Sequence, residues 1–344
     1  IGNVGGKLLD QIENQQKFLI EKKNLQLRVI GMANSRKMLF CEGGISLDNW
    51  QEQLDSEGET SDLDAFFNRM TDMNLRNSVF IDNTAHEVVT KLYSRCLKES
   101  VAVVACNKIA CSSAYTNYEE LKALSSKYQA PFLFETNVGA GLPIIDTLHN
   151  LIASGDQIHE IQAVLSGSLN FVFNNFTGDR SFHEVVKQAG EEGYTEPDPR
   201  IDLSGVDVAR KILILMRESG IRAELEDIEN RSFLPVESLQ ADTVEDFLET
   251  LKTTATHFAD LRKAAEEAGC KLKYVASFKD GKAEVGLQHI APDHPFYNLD
   301  GKDNIVLFYT DRYREQPLII KGAGAGADVT ASGIFGDIIR TGNL

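Results

Sequence analysis

The chain has 344 residues, of which 42% are hydrophobic and 25% charged, and its formal net charge is −16. A chain of this length exceeds the size at which one hydrophobic core keeps growing, so two or more lobes are expected. The negative charge disfavours binding to nucleic acid or to an anionic membrane, because both require a basic protein surface. No apolar stretch approaches the roughly 20 residues that span a bilayer. We therefore expect neither a nucleic-acid nor a membrane partner.

The five cysteines are odd in number, widely spread and without CxxC spacing. This pattern predicts neither a disulfide framework nor a structural zinc site, and it favours a reducing, cytoplasmic setting. The chain opens inside a glycine motif, Ile1-Gly2-Asn3-Val4-Gly5-Gly6, and has no initiator Met. We interpret it as a fragment of a longer protein.

The first part of the chain alternates helical and strand-like segments, which predicts a parallel sheet covered by helices. An amphipathic helix is expected over residues 7–19 and a strand over residues 25–33. Three further apolar runs predict buried strands: SVFIDNT, VAVVACNK and PFLFETN.

From residue 143 the pattern changes to that of a second, α+β lobe. Capping boxes are expected at Ser181 with Glu184 and at Ser204 with Asp207. A long helix is expected over residues 243–269. It leads into an antiparallel hairpin that turns at Asp280-Gly281.

The glycines at the start of the chain indicate a nucleotide site. Gly2 and Gly5 fit the second and third glycines of a G-x-G-x-x-G turn, where pyrophosphate lies at the amino end of a helix. The first glycine and its strand would precede Ile1, and an ordinary glycine-containing loop remains an alternative. The strand that follows ends in Ala33-Asn34-Ser35-Arg36, without the acid that binds the ribose of NAD. Arg36 favours NADP, or use of both nucleotides, although it could equally be a solvated surface charge.

The segment 193–211, GYTEPDPRIDLSGVDVARK, joins an acidic, proline-containing loop to the start of an apolar helix. The prolines exclude regular helix from the first half. Asp207 and Lys211 lie at i and i+4 on one helix face, where a surface ion pair is the alternative to a functional pair. Glu196, Asp198 and Asp202 add further acids. This concentration around one lysine favours a pocket that binds an ammonium group and moves a proton, because a desolvated lysine can act as acid and base.

Three further features could carry chemistry. Lys108 follows a buried strand, at the edge where parallel strands border a ligand crevice, although a surface lysine at a helix start fits as well. Cys106 could be a nucleophile, but its place in the strand predicts a buried, inert thiol. The run KGAGAGAD either approaches a flat or charged group closely or forms a packed tight turn.

Taken together, these motifs resemble the homoserine dehydrogenase family, and specifically the dehydrogenase half of bifunctional aspartokinase–homoserine dehydrogenases. The resemblance spans nearly the whole chain and is carried by GNVGG, VVACNK, ETNVGAGLPIIDTL, LSGSLNFVF, GYTEPDPRIDLSGVDVARK and GAGAGADVTASGIFGDIIR.

The resemblance implies an α/β fold in which a Rossmann-like, doubly wound dinucleotide-binding domain, lacking its first strand, occupies residues 1–142. An α+β catalytic and dimerisation domain would occupy residues 143–314, and a C-terminal segment, 315–344, would return to the first domain. The resemblance also implies a homodimer or larger homo-oligomer and a fused aspartokinase domain upstream.

The implied reaction is the reversible reduction of L-aspartate 4-semialdehyde to L-homoserine with NADPH or NADH, in threonine, methionine and isoleucine biosynthesis. The implied catalytic residues are Lys211, Lys108 and Asp207. The implied substrate-binding residues are Glu196, Asp202, Asp207 and Ser168. The implied cofactor-binding residues are Gly2, Asn3, Val4, Gly5, Asn34, Ser35, Arg36, Asn83, Thr84, Ala85, Lys108, Gly193, Glu196 and Gly326.

The family also holds a monovalent cation, usually sodium, through main-chain oxygens. The positions that the resemblance implies for it are Glu135, Val138, Ala140 and Leu142. Two other functions remain open on the residues alone: a semialdehyde dehydrogenase that uses Cys106 covalently, and a non-catalytic, cofactor-sensing regulatory domain fused to a kinase.

Overall fold

The computed structural model describes residues 1–178 and 180–342. Its helices are, in chain order, α1 (Asn3–Lys23), α2 (Trp50–Glu57), α3 (Leu63–Asp72), α4 (Glu87–Thr90), α5 (Tyr93–Lys98), α6 (Ile109–Ser112), α7 (Tyr115–Tyr128), α8 (Ile144–Ala153), α9 (Gly167–Asn175), α10 (Phe182–Glu191), α11 (Pro199–Leu203), α12 (Val206–Glu218), α13 (Val236–Leu239), α14 (Val244–Thr253), α15 (Ala255–Glu267) and α16 (Ala327–Gly342). The strands are β1 (Gly31–Ala33), β2 (Lys37–Phe40), β3 (Glu59–Thr60), β4 (Val79–Asp82), β5 (Ala102–Ala105), β6 (Phe132–Leu133), β7 (Ile158–Val164), β8 (Ile228–Arg231), β9 (Lys271–Lys279), β10 (Lys282–Ile290), β11 (Asp303–Thr310) and β12 (Leu318–Ala323). Short 3-10 helices cover Glu135–Asn137 and Leu225–Asp227.

Backbone contacts divide the described chain into two compact units, residues 1–141 with 326–342, and residues 142–325. The C-terminal return to the first unit begins at Gly326 rather than at residue 315. The reason is that β12 forms an antiparallel ladder with β11, which holds residues 318–323 in the sheet of the second unit.

The first unit contains a parallel sheet in the order β4-β5-β6. Every residue of β5 is buried, as expected for an inner strand of a parallel sheet. Helices α1 and α16 pack together over this sheet through a shared apolar core of Leu8, Ile12, Leu19, Val104, Ala331, Ile334, Phe335 and Ile338. This is a Rossmann-like α/β architecture, as predicted.

One predicted strand differs from the structure. Of the expected strand over residues 25–33, three residues form β1, which pairs antiparallel with β2 instead of joining the parallel sheet. The cause is the turn that follows, where the Asn34 Oδ1 accepts hydrogen bonds from the backbone N–H groups of Arg36 and Lys37, both at 2.8 Å. An Asx-type turn of this kind reverses the chain and forms a hairpin.

The second unit contains a six-stranded mixed sheet in the order β12-β11-β7-β9-β10-β8. Neighbouring strands are antiparallel except β10 and β8. The predicted hairpin is confirmed as β9 and β10, and both turn residues, Asp280 (φ 50°) and Gly281 (φ 77°), have the positive φ of a type I′ turn. Helices α9, α12 and α15 pack against β9. The result is the α+β lobe that the sequence predicts.

The helix ends of this unit correct two predictions. The capping box of Ser181 and Glu184 is present, but the one expected at Ser204 is not, because Ser204 ends α11 and Gly205 caps α12 without a side-chain bond. The long helix expected over residues 243–269 is two helices, α14 and α15. The break falls at Thr254, whose hydroxyl bonds the Thr250 carbonyl at 2.6 Å and so competes with the regular backbone ladder. None of the helices in the described part of the chain has the length and hydropathy required to cross a bilayer.

Candidate active site

Helix α12 carries a largely buried lysine with two anchoring contacts. The side chain of Lys211 is 12% exposed, and its Nζ lies 2.8 Å from Asp207 Oδ2. The same ammonium donates to the main-chain oxygen of Leu165 at 2.6 Å. Within residues 1–178 and 180–342 these are the partners of Lys211, so one of its three ammonium hydrogens remains for a ligand. The Asp207 side chain is 43% exposed, so it is the burial of Lys211 alone that distinguishes this pair from an ordinary surface ion pair.

The start of α12 is fixed from the sheet below it. Gly205 has φ +73°, and a Cβ atom on it would lie 1.9 Å from the Tyr274 hydroxyl. That hydroxyl donates to Asn230 Oδ1 at 3.0 Å, and Asn230 Nδ2 donates to the Ser204 carbonyl at 2.9 Å. Burial raises the pKa of Tyr274, so the hydroxyl keeps the proton that it donates. Neither Tyr274 nor Asn230 was predicted from the sequence, because their link to α12 arises only on folding.

The acidic loop before α12 is held together by one carboxylate. Asp202 accepts the Ser168 hydroxyl at 2.7 Å on Oδ1 and the Glu196 backbone N–H at 2.9 Å on Oδ2. The Glu196 side chain itself is exposed, as is Gly193, whose φ is +72°. The structure therefore brings Ser168, Asp202 and the Glu196 backbone together, as the sequence prediction grouped them.

Asp198 has a different role from the one expected. The expectation that the prolines exclude helix here is wrong, because the loop contains a short helix, α11, which begins at Pro199, and proline is favoured in the first helical position. The Asp198 side chain caps this helix and bonds the Arg200 guanidinium, with Oδ2 2.6 Å from Nη2. The Arg200 hydrogen bond holds the pKa of Asp198 below its ordinary value. Asp198 is therefore paired with Arg200.

The lysine and the acidic loop meet at one short stretch of chain, the β7–α9 junction (residues 165–168). Leu165, directly after β7, accepts the Lys211 ammonium, and Ser168, in the first turn of α9, donates to Asp202. Two groups that lie nine residues apart in sequence are thus anchored three residues apart on a rigid element. A strand end of this kind positions a site more precisely than a free loop.

In the first unit, the amino end of α1 has the properties of a phosphate site. Gly2 caps the helix in an extended conformation, and the first turn leaves the N–H groups of Asn3, Val4 and Gly5 without helical acceptors. A cleft of about 330 Å³ lies beside it, lined by Ile1, Gly2, Asn3, Gly6, Lys7, Asp10, Trp50 and Gln51.

Two loops of the first unit carry the other residues that the resemblance assigns to a nucleotide. Ser35 and Arg36 are exposed at the tip of the β1–β2 turn that Asn34 organises. Asn83 follows β4 and lies beside Gly5, with Nδ2 3.5 Å from the position of a Cβ atom there. Its Oδ1 is buried and has no partner within the described residues. A buried acceptor without a donor is costly, and a bound ligand would satisfy it.

A single buried carboxylate organises the loop after β4. Asp82 accepts the Thr84 backbone N–H at 2.8 Å, the Tyr93 hydroxyl at 2.6 Å and Asn107 Nδ2 at 3.1 Å. Burial, followed by the Asp82 charge, raises the pKa of Tyr93 well above 10. Thr84 and Ala85, which the resemblance assigns to the cofactor, are exposed beyond this network. Asp82, Tyr93 and Asn107 were not predicted from the sequence, although an acid at a strand end is a detectable signal.

Two candidate residues follow β5, a lysine and a thiol, and they differ in their suitability for chemistry. Lys108 is half-buried at the start of α6. Cys106 is partly buried, and burial raises its pKa, although Lys108 opposes the effect. A raised pKa lowers the thiolate fraction, so Cys106 is poorly suited to be a nucleophile.

The positions assigned to a monovalent cation lie in a buried, tightly turned segment. Glu135, Val138 and Ala140 are each buried, and Gly139 and Ala140 both have positive φ. Helix α16 fixes this segment, because the Asp337 carboxylate accepts the Glu135 N–H at 2.9 Å. Leu142 belongs to the second unit, where its carbonyl accepts the Ile144 N–H. No cluster of three or more His, Cys, Asp or Glu side chains suited to a metal occurs in the described part of the chain.

The C-terminal glycine run approaches a flat group closely, and that group is a side chain of the protein itself, the Asn304 amide. A Cβ atom at Gly324 would lie 2.0 Å from Asn304 Cγ and 2.2 Å from its Nδ2. Gly326, with φ +118°, precedes α16 and has open space where a Cβ atom would lie. Close approach to a planar amide therefore explains Gly324, and backbone conformation explains Gly326.

Comparison with known proteins gives matches along the chain. A family model described as homoserine dehydrogenase matches residues 143–339, and one described as homoserine dehydrogenase, NAD binding domain, matches residues 1–135. A bifunctional aspartokinase/homoserine dehydrogenase 2 of Zea mays is 43% identical over 342 residues, which cover 98% of this chain and 37% of that protein. The chain thus spans well under half of that relative.

A second relative matches over nearly its full length. The homoserine dehydrogenase of Schizosaccharomyces pombe is 36% identical and is covered to 93%, with 98% of this chain aligned. A solved hyperthermophilic archaeal homoserine dehydrogenase in complex with NADPH superposes with a TM-score of 0.75 at 23% identity, covering 99% of this chain and 95% of that one. The last match supports the fold. On the two family models and the S. pombe relative, the chain belongs to the homoserine dehydrogenase family.

Proposed function

We propose that this chain catalyses the reversible interconversion of L-aspartate 4-semialdehyde and L-homoserine with NADP(H), or with both nicotinamide nucleotides. Lys211 carries this proposal. Its ammonium is largely buried, is fixed by Asp207 and by the Leu165 carbonyl, and has a hydrogen left to donate. A bound nicotinamide would supply or accept the hydride. The protein must therefore provide a proton to the aldehyde oxygen in reduction and remove it from the hydroxyl in oxidation.

In this proposal Lys211 performs that proton transfer. In the reductive direction the ammonium protonates the oxygen that develops negative charge, and the Asp207 carboxylate and the Leu165 carbonyl keep Nζ in place throughout. In oxidation the neutral amine accepts the same proton. Lys108, half-buried after β5, is proposed as a second lysine of the reaction.

The acidic loop is proposed to hold the substrate. Glu196 has an exposed carboxylate on a backbone that Asp202 fixes, which suits it to bind the α-ammonium group of the amino acid. Asp202 and Ser168 already bond each other, and each oxygen of Asp202 retains acceptor capacity. Asp207 would contribute a second anionic contact beside Lys211.

The nucleotide is proposed to bind along the first unit. The helix start at Gly2, Asn3, Val4 and Gly5 would accept the pyrophosphate, and the Asn83 Oδ1, which lacks a donor, would take a hydrogen from the ligand. Thr84, Ala85, Gly193 and Gly326 remain proposed contacts. Arg36, beside Asn34 and Ser35 on an exposed turn, would bind a 2′-phosphate, which favours NADP.

A monovalent cation such as sodium is proposed at the main-chain oxygens of Glu135, Val138, Ala140 and Leu142. The donor set fits, because hard cations prefer oxygen ligands and the first three of these residues are buried in a turned backbone. The cation would stabilise the conformation of this backbone segment and would take no part in proton transfer.

The longer protein, its oligomeric state, its pathway and its location in the cell are also proposed. We infer a fused aspartokinase domain upstream, by analogy with the maize relative, and a homodimer or larger homo-oligomer. The place in threonine, methionine and isoleucine biosynthesis follows from the proposed substrate. A cytoplasmic location is supported by five cysteines that are all free thiols.

The decisive experiment compares Lys211→Met with the wild-type chain. Homoserine-dependent reduction of NADP⁺ should fall by at least about 10²-fold in the variant, the typical contribution of a positioned proton donor, while NADPH binding by fluorescence changes little. Lys187→Met is the matched control, because Lys187 also pairs at i+4, with Glu191 at 3.7 Å, but is 60% exposed. It should keep normal turnover.

Two outcomes would contradict the proposal. Near-normal turnover of Lys211→Met would remove Lys211 from the mechanism. Binding of NADPH by the wild-type chain without any homoserine-dependent turnover would instead support the cofactor-sensing alternative. Full activity after alkylation of Cys106 would dismiss the covalent alternative.

A further inference from the structure

The Leu165 carbonyl that anchors Lys211 has a second hydrogen-bond donor. Asn304, in β11, donates to it from Nδ2 at 3.3 Å. The Asn304 side chain is fully buried, at 0% exposure, and its Oδ1 has no partner within the described residues. A buried amide that makes one of its possible bonds is costly to keep. The bond that it does make is on the oxygen that holds the lysine.

We propose that Asn304 is a positioning residue that holds the Lys211 ammonium in place through the shared Leu165 carbonyl. This inference rests on the proposed role of Lys211 in proton transfer. A carbonyl oxygen has two lone pairs, and here one is taken by Lys211 and the other by Asn304. Occupying both lone pairs restricts the direction in which the carbonyl can tilt. The position of the Lys211 ammonium, which donates to this carbonyl, is restricted in the same way.

The packing around Asn304 supports this role. The start of β11 lies against the β7–α9 junction, because a Cβ atom at Gly167 would lie 3.2 Å from the Lys302 carbonyl. On the other side, the Gly324 backbone leaves no space for a side chain next to the Asn304 amide. Asn304 thus lies between the Gly324 backbone and the β7–α9 junction, where its amide bonds the Leu165 carbonyl.

The proposal also explains why position 324 is glycine. Its conformation does not require one, since no positive φ occurs there. The requirement is steric, because any Cβ atom would overlap Asn304 Cγ, Nδ2 and Cβ at 2.0–2.5 Å. Gly324→Ala should therefore displace the amide and reproduce the effect of removing it.

The test measures turnover and lysine reactivity in the complete chain. Asn304→Leu, which removes the donor at similar volume, should lower kcat for homoserine oxidation at least tenfold and change KM less than threefold. Gly324→Ala should likewise lower kcat at least tenfold and change KM less than threefold. Limited acetylation followed by peptide mass spectrometry should show Lys211 labelled severalfold faster in both variants than in the wild type, relative to the exposed Lys282.

Thr310→Val is the matched control. Thr310 lies at the opposite end of β11, is fully buried and donates to Asp156 Oδ2 at 2.8 Å. Six residues along a strand correspond to roughly 20 Å. This variant should lose stability as the Asn304 variants do, yet keep wild-type kcat per folded molecule and wild-type labelling of Lys211.

The outcomes separate this proposal from the proposed function. Because labelling needs no turnover, it tests Asn304 even if the wild-type chain proves inactive on homoserine, which would overturn the proposed function alone. Should Asn304→Leu fold poorly, Asn304→Ser removes the same donor with less strain. Wild-type labelling together with an unchanged kcat in the folded fraction of both variants would overturn the positioning role.

Discussion

The Tyr274 hydroxyl lies only 1.9 Å from the position that a Cβ atom on Gly205 would take. This close contact sets the start of the helix that carries Asp207 and Lys211. Gly205→Ala should therefore lower the free energy of unfolding by about 2–4 kcal/mol, from left-handed strain and the loss of the Tyr274 bond to Asn230. Turnover should fall as well. Urea unfolding and steady-state rates measure the two effects.

Gly220→Ala provides the comparison for this prediction. Gly220 also has positive φ, +85°, but apart from its chain neighbours no atom of the described residues lies within 4 Å of its Cβ position. Its substitution should cost about 1–2 kcal/mol, the left-handed strain alone, and leave kcat unchanged. Equal losses at the two glycines would show that the Tyr274 contact contributes nothing.

Arg36→Ala should separate the two nicotinamide nucleotides. A guanidinium bond to a phosphate is worth about 1.5–3 kcal/mol, so the Kd for NADPH should rise about 10- to 100-fold. The Kd for NADH, which has no 2′-phosphate, should change less than about twofold. Fluorescence titration measures both, and Arg76→Ala, at another exposed arginine of the first unit, is the control. Equal weakening for both nucleotides would place the 2′-phosphate elsewhere.

Asp337 should make the stability of the chain fall as the pH rises. Burial raises the pKa of Asp337 to about 7, although the Glu135 N–H and Arg340 oppose this effect. The folded state then holds a proton that the unfolded state has lost above pH 3.8. The stabilisation is complete below pH 4 and is lost as the pH rises through 7, by at most on the order of 4 kcal/mol.

Asp337→Asn should remove this part of the pH dependence. Denaturant midpoints at pH 4.5, 6 and 7.5 should fall for the wild type and stay nearly level for the variant. Asp328→Asn, at an exposed acid on the same helix, should behave as the wild type. A variant with the wild-type slope would refute the assignment to Asp337.

Lys273 should make the stability of the chain rise with pH, in a higher pH range than the fall caused by Asp337. It is buried in β9 and donates to Asn170 Oδ1, Asn174 Oδ1 and the Leu299 carbonyl, and no carboxylate of residues 1–178 or 180–342 pairs with it. Burial, followed by the charge of Lys271, lowers its pKa to about 8. The unfolded state binds the proton more tightly, so stability should rise by about 1.5 kcal/mol between pH 8 and 9.5.

Lys273→Met should abolish that rise while lowering stability at neutral pH, because three acceptors lose their donor. Thermal unfolding at pH 7, 8 and 9.5 measures both effects. The exposed Lys282→Met variant should retain the wild-type rise. If the stability of Lys273→Met still increased over this range, another group would be responsible.

The elements that the sequence predicts well are those set by local pattern. The apolar runs that became β4 and β5, the hairpin at Asp280-Gly281 and the i, i+4 pairing of Asp207 with Lys211 each follow from neighbours in sequence. The structure places these elements as expected. The resemblance to the family, rather than local pattern, identified Ser168 together with Asp202, and the two bond each other across 34 residues.

The parts that could not be predicted depend on main-chain groups or on distant contacts. The Leu165 carbonyl has no signature in the sequence, yet it anchors a lysine 46 residues away. Asn230 and Tyr274 contact the start of α12 from two different strands. The hairpin that replaced the strand over residues 25–33 depends on one Asn34 side chain.

The Asp202 contacts determine when the acidic loop becomes ordered. Since Ser168 and the Glu196 amide already occupy one position on each carboxylate oxygen, the loop takes its shape as the chain folds and does not wait for an incoming amino acid. Its entropy loss is then a cost of folding, and ligand affinity is not reduced by it. Amide exchange across residues 194–203 should consequently be slow in the free protein and nearly the same after a ligand binds.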